Sequence, residues 1–146
     1  MKNDFNKVKI DYYDNGQKKS EEWYLNGKLH KKDGPIIQEW FENGQKKIEQ
    51  WWLNDKFHRE DGPAIQWWYE NGQKAYEYWF LNDQLHREDG PAIQEWYENG
   101  QKSYKYWYLN GDHYFSIERW INKLKEIGSE HYEEQNALYN AEKYNL

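Results

Sequence analysis

The chain of 146 residues has no cysteine, three prolines and one methionine. Without cysteine there is no disulfide framework, no thiolate metal site and no thiol nucleophile, a composition that suits a reducing, cytoplasmic setting. No apolar run approaches the roughly 18 residues of a bilayer-spanning helix, and the stretch from Met1 to Lys9 is too polar for a secretion signal. Positive charge is short as well. Against 26 Asp and Glu stand 20 Lys and Arg, a formal net charge of -6, which argues against holding phosphate backbones or anionic lipid by bulk charge. Membrane insertion and direct nucleic-acid binding are therefore not expected, whereas a basic protein partner is. Apolar residues make up only 37% and the mean hydropathy is -1.41, values that ordinarily signal disorder. The aromatic content of 20%, with 10 Trp and 14 Tyr, is the reverse of a disordered composition. The expected core is aromatic.

What the chain does have is a repeat. Asn-Gly-Gln-Lys begins at Asn15, Asn43, Asn71 and Asn99, a step of 28 each time. The same step relates Trp23, Trp51, Trp79 and Trp107, the leucines 25, 53, 81 and 109, and His30, His58 and His86. All three prolines fall in the Asp-Gly-Pro triplets that begin at Asp33, Asp61 and Asp89. Asn71-Gly72 lies between two alternating aromatic stretches, Ala64 to Glu70 and Lys74 to Leu81, and predicts a type I′ hairpin. Leu-Asn-Gly or Leu-Asn-Asp marks a second turn at the other end, and the segment His86 to Pro91 reads as a bulge in the returning strand. The expectation is a mainly β fold: an elongated antiparallel meander of about four 28-residue hairpin repeats over residues 1–112. Residues 113–146 form a helical cap. Ser116 is the candidate N-cap, Ile117, Trp120, Ile121, Leu124 and Ile127 follow helical spacing, and a second helix runs from about Glu130 to Tyr144.

A two-residue turn at Asn71-Gly72 sets Trp68 opposite Ala75 and Trp67 opposite Tyr76, which separates two faces. Ala64, Gln66, Trp68, Ala75, Glu77, Trp79 and Leu81 share one face, which barely changes between repeats and is assigned to the core. The other carries Trp67, Tyr69, Tyr76, Tyr78 and Phe80, extended by Tyr97, Tyr104, Tyr106 and Tyr108. Those nine residues are the candidate binding strip, with the C-terminal helices as its competing cover. A row of Lys18, Lys46, Lys74 and Lys102 is placed on this second face.

The pieces Tyr69 to Lys74 (Tyr-Glu-Asn-Gly-Gln-Lys) and Trp23 to Lys28 (Trp-Tyr-Leu-Asn-Gly-Lys) resemble MORN-variant repeats, including those of bacterial antitoxin-like proteins. The longer unit His58-Arg59-Glu60-Asp61-Gly62-Pro63-Ala64, seen again from His86 to Ala92, is similar to repeats of phage and giant-virus proteins. The resemblance spans roughly Tyr12 to Gly111 and implies an interaction scaffold.

Chemistry is sparse. Each of His30, His58 and His86 precedes an Asp by three positions, but one His and one Asp per repeat is a poor metal or acid-base set, and a structural role explains the column better. Ser20, Ser103, Ser116 and Ser129 sit in no nucleophile elbow, and every Asn-Gly is followed by Gln-Lys rather than by a phosphate-loop motif. No catalytic residue, metal or cofactor is expected. The reading is a non-enzymatic protein-protein interaction module, of antitoxin, immunity or viral-inhibitor type, acting on another protein or on a second copy. Glycan or choline binding by aromatic cages is the alternative.

Overall fold

The computed structural model describes residues 6–31 and 33–144; residues 1–5, 32, 145 and 146, which belong to the segments read above, lie outside them. Along the chain come β1 (Asn6–Tyr12), β2 (Lys18–Leu25), β3 (Lys28–Leu29), β4 (Ile37–Trp40) and β5 (Lys46–Gln50). Then follow β6 (Trp52–Leu53), β7 (Lys56–Phe57), β8 (Ile65–Trp68), β9 (Lys74–Tyr78), β10 (Phe80–Leu81) and β11 (Gln84–Leu85). The last elements are β12 (Ile93–Trp96), β13 (Lys102–Leu109), β14 (Asp112–Tyr114), α1 (Ile117–Ile127) and α2 (Tyr132–Tyr144). One antiparallel sheet runs β1-β2-β4-β5-β8-β9-β12-β13-β14, with β3 paired to β2; β6-β7 and β10-β11 are separate short hairpins. The molecule is thus mainly β with two C-terminal helices.

The turn at Asn71-Gly72 differs from the sequence expectation. At Asn71-Gly72 only the glycine has positive φ, +83°. The Gly72 N–H donates to Tyr69 O and the Tyr69 N–H to Gln73 O, so the loop has three residues, Glu70 to Gly72, with Gly72 as its left-handed bulge residue. The extra residue shifts the register between Trp67 and Trp68: Trp67 pairs with Tyr76 as expected, but Trp68 pairs with Lys74, not Ala75. The type I′ geometry occurs at the other end. There Asn82 and Asp83 have φ of 51° and 66°, between the pairs Leu81–Gln84 and Phe80–Leu85.

The register shift also corrects the lysine row. Lys74 lies on the face of Glu77, with Nζ 2.5 Å from Glu77 Oε1 and 5.7 Å from the centre of the next unit's Trp96 ring. Lys18 and Lys46 repeat this with Glu21 and Trp40, and with Glu49 and Trp68. Gln38 and Gln66 donate to Glu49 and Glu77, which lets these carboxylates be buried among hydrogen-bond donors.

The tryptophans 51 and 79 are junctions rather than core plugs. The Trp79 N–H bonds Ala92 O in the main sheet while Trp79 O accepts from the His86 N–H in the outer hairpin. At this residue the strand leaves one sheet for the other. The arginine of the His-Arg-Glu-Asp-Gly-Pro segment covers the indole: Arg59 Cζ lies 4.0 Å from the Trp51 ring centre and Arg87 Cζ 3.8 Å from that of Trp79. Each arginine is fixed by the aspartate two residues on, Arg59 to Asp61 at 2.9 Å and Arg87 to Asp89 at 2.7 Å. A Cβ at Gly62 would stand 2.6 Å from Arg59 Cζ, so a larger residue there would displace the guanidinium from its place over the indole. The segment is a clasp over the tryptophan, where the sequence suggested a simple bulge. The histidines tie neighbouring units, since the Asn82 N–H donates to His58 Nδ1 at 3.3 Å and the Asn110 N–H to His86 Nδ1 at 3.1 Å.

Burial follows the expected face but with smaller residues. Ala64, Ala75 and Ala92 are buried in the sheet, together with Ile36, Glu49, Glu77 and Gln94. Among the described residues the large side chains completely removed from solvent are Trp120 and Leu124, so the sheet's own interior is not the aromatic core expected from composition. α1 begins as its sequence predicts. The Ser116 hydroxyl accepts from the Arg119 N–H, and Gly128 closes the helix with φ of 69°. Its apolar stripe, Trp120, Ile121 and Leu124, packs on Leu109 of β13.

Candidate functional site

Directly paired residues of antiparallel strands point to the same side of the sheet. Trp67 pairs with Tyr76 and Ile65 with Tyr78 across β8 and β9. Ile93 pairs with both Tyr78 and Tyr106, and Glu95 with Tyr76. These residues therefore share the face opposite the buried alanines and glutamates. On it the rings form two rows. In the first, Trp67 meets Tyr76 edge-on at 6.1 Å, Tyr76 stacks with Tyr78 at 6.3 Å, and Tyr78 with Phe80 at 6.5 Å. In the second, Tyr104 stacks with Tyr106 at 6.3 Å, and His113 stacks on Tyr108 at 4.7 Å and touches Tyr106 at 6.0 Å.

The nine residues singled out from the sequence are thus brought together only in part. Trp67, Tyr76, Tyr78 and Phe80 form one row and Tyr104, Tyr106 and Tyr108 the other, while β12 runs between them and contributes Ile93 and Glu95 instead of rings. Tyr69 and Tyr97 stand apart at the turn end. The Tyr69 hydroxyl donates to Trp96 O at 2.9 Å, a tie to the next strand that Tyr13 repeats with Trp40 O, so this tyrosine has a structural task. Tyr97, Tyr104 and Trp67 are the most open of the nine, at 53%, 56% and 45% exposure.

Four aromatic members escaped the sequence reading. Phe57 continues the first row by packing on Phe80 at 5.6 Å, with Trp52 4.3 Å beyond it. His113 and Phe115 lengthen the second row, and Phe115 is 80% exposed. Asn110-Gly111 is a turn of the same kind as Asn26-Gly27, and extending the alternation through it would have placed His113 opposite Tyr108, as observed.

α1 does not cover these rows. Its stripe lies on Leu109 and Trp107, which point to the other side of β13 from Tyr104, Tyr106 and Tyr108. Burial first, and then the charge of Glu95 and the neighbouring Tyr76 hydroxyl, hold the Tyr78 hydroxyl above its ordinary pKa.

Elsewhere the concave features include two clefts of about 440 and 420 Å³ beside the outer hairpins. One is lined by Arg59, Arg87 and His131, the other by His30, Lys31 and Asp55. In the larger cleft both arginines are already engaged with tryptophan and aspartate. Among the described residues no group of three His, Asp or Glu is placed to hold a metal ion, and no described helix is long and apolar enough to cross a membrane. No protein-family model, curated protein or solved structure matches this chain.

Proposed function

We propose that the chain is a non-enzymatic protein-protein interaction module, an elongated array of four 28-residue hairpin units of MORN-variant type. Its open aromatic face docks on another protein in an antitoxin, immunity or inhibitor role. The observation that carries this reading is the pair of tyrosine-rich rows left uncovered on one side of the sheet while α1 packs on the other. Tyrosine and tryptophan supply large contact area at low entropic cost, and an open patch of this kind on a rigid sheet marks an interface. The resemblance to interaction repeats supports the same conclusion. A cytoplasmic setting accords with a cysteine-free chain.

The test is a comparison of baits. Trp67→Ser with Tyr104→Ser removes, from each row, the most exposed of the rings singled out from the sequence, and the chain already carries Glu39, Glu95 and Ser20 at equivalent places, so the fold should tolerate the change. Cross-linked capture from cells of the source should enrich a protein on the wild type that is lost on the double variant, with matching circular dichroism spectra. Identical captured sets would remove the aromatic face from the function.

A further inference from the structure

Among the described residues, one carboxylate on the aromatic face has no ion-pair partner. Glu95 in β12 is paired with Tyr76 of β9, and one step past the Gln94–Lys105 pair it lies alongside Tyr104 of β13. Two residues back on the same face, Ile93 is paired with both Tyr78 and Tyr106. Glu95 therefore occupies the gap between the two rows, half-buried, with tyrosines on either side. Two units earlier the corresponding carboxylate is satisfied within the chain: Lys47 Nζ reaches Glu39 Oε2 at 3.1 Å. Eight residues after Glu95, where Lys47 follows Glu39, stands Ser103. Among the described residues no Lys, Arg or His comes within ion-pair distance of Glu95, and the Gln94 amide beside it bonds the Glu95 and Tyr104 backbone carbonyls rather than the carboxylate. The Tyr69 and Tyr78 hydroxyls are both raised above their ordinary pKa, by burial first, and Glu95 is among the charges that add to it.

Two independent attractions at this point select the same occupant. A carboxylate partly removed from water binds a cation more strongly than one in bulk solvent, and the negative faces of aromatic rings add to that attraction. A guanidinium matches both, since its plane stacks on rings while its N–H fork pairs with a carboxylate. We infer that Glu95, flanked by Tyr76, Tyr78, Tyr104 and Tyr106, is the receptor for an arginine side chain of the protein partner. This rests on reading the aromatic face as a protein interface and names the chemistry of what docks there. The formal charge of -6 attracts the same kind of partner.

The probe is N-acetyl-arginine amide, with the uncharged N-acetyl-citrulline amide as control, titrated into the full chain while amide chemical shifts are followed. Saturable shifts confined to residues 76, 78, 93 to 95 and 104 to 106 are expected with the arginine probe, and at least tenfold weaker binding with citrulline. Glu95→Gln should weaken arginine binding at least tenfold. Ser103→Lys, which restores the arrangement of Glu39 and Lys47, should do the same by supplying an internal cation, and it keeps the test valid if the first variant is perturbed. No saturable shift, an equal response to citrulline, or full binding by both variants would overturn the inference. Capture of a partner equally by wild type and Glu95→Gln, but not by the Trp67/Tyr104 double variant, would leave the interface standing and remove the arginine.

Discussion

Replacement of Trp120 by Ala is expected to cost about 3–5 kcal/mol of stability, the range for deleting a fully buried tryptophan. The ring is 0% exposed and packs with Ile121 and Leu124 against Leu109, with Trp107 and Tyr114 at its margin. Its indole nitrogen has no hydrogen-bond partner, so the loss is one of packing alone. This is the cluster that anchors the helices; the exposed ties of Tyr139 and Lys143 to Glu118 join α2 to α1, and a part-buried hydrogen bond runs from Ser129 Oγ to Glu88 at 2.5 Å. The exposed pairs are each worth about 1 kcal/mol or less. Urea titration followed at 222 nm should therefore show the helical signal disappearing well before the sheet signal. A loss under about 1 kcal/mol would mean that α1 is not held by this stripe.

The second large effect is expected at Trp79. Its ring is half-buried at the junction of two sheets and clasped by Arg87 at 3.8 Å, with the indole nitrogen shielded from water. Truncation to Ala removes that packing and leaves Arg87 over a void, at a cost of about 3 kcal/mol. Trp67→Ala gives up only an edge contact with Tyr76 on an open face, about 1 kcal/mol. The two variants, compared by denaturant midpoint at equal m-value, should differ by at least about 1 kcal/mol. Equal losses would mean that the two faces of the sheet are buried alike.

Much of this was legible because the repeat constrains it. The strand pairing of Trp67 with Tyr76, the division into a nearly constant and a variable face, and α1 with its Ser116 cap all follow from spacing and alternation. What was not legible has specific causes. Asn-Gly is compatible with both a two-residue type I′ loop and a three-residue loop ending in left-handed glycine. The choice between them moved one residue of register and with it Lys74, from the aromatic face to the side of Glu77. The clasp was missed because Arg59 reaches Trp51 across a loop, a contact that no periodicity reports. Composition implied an aromatic core, yet the buried positions of the sheet hold Ala64, Ala75 and Ala92 while its tryptophans 51 and 79 lie under arginines. On the candidate face the tyrosines were visible by alternation, but their separation into rows by Ile93 and Glu95 depends on which strand lies between them.

In the free protein the tyrosine rows lie open on one side of the sheet, while Trp79 and Trp120 are held in packing contacts away from them. Hydroxyl-radical footprinting of the isolated chain, read residue by residue by mass spectrometry, measures this directly. Trp67, Tyr97 and Tyr104 should be oxidised several-fold faster than Trp79, and Trp120 should be the slowest of all. Protection of Trp67 and Tyr104 to the level of Trp120, or faster oxidation of Trp79 than of Trp67, would contradict the account.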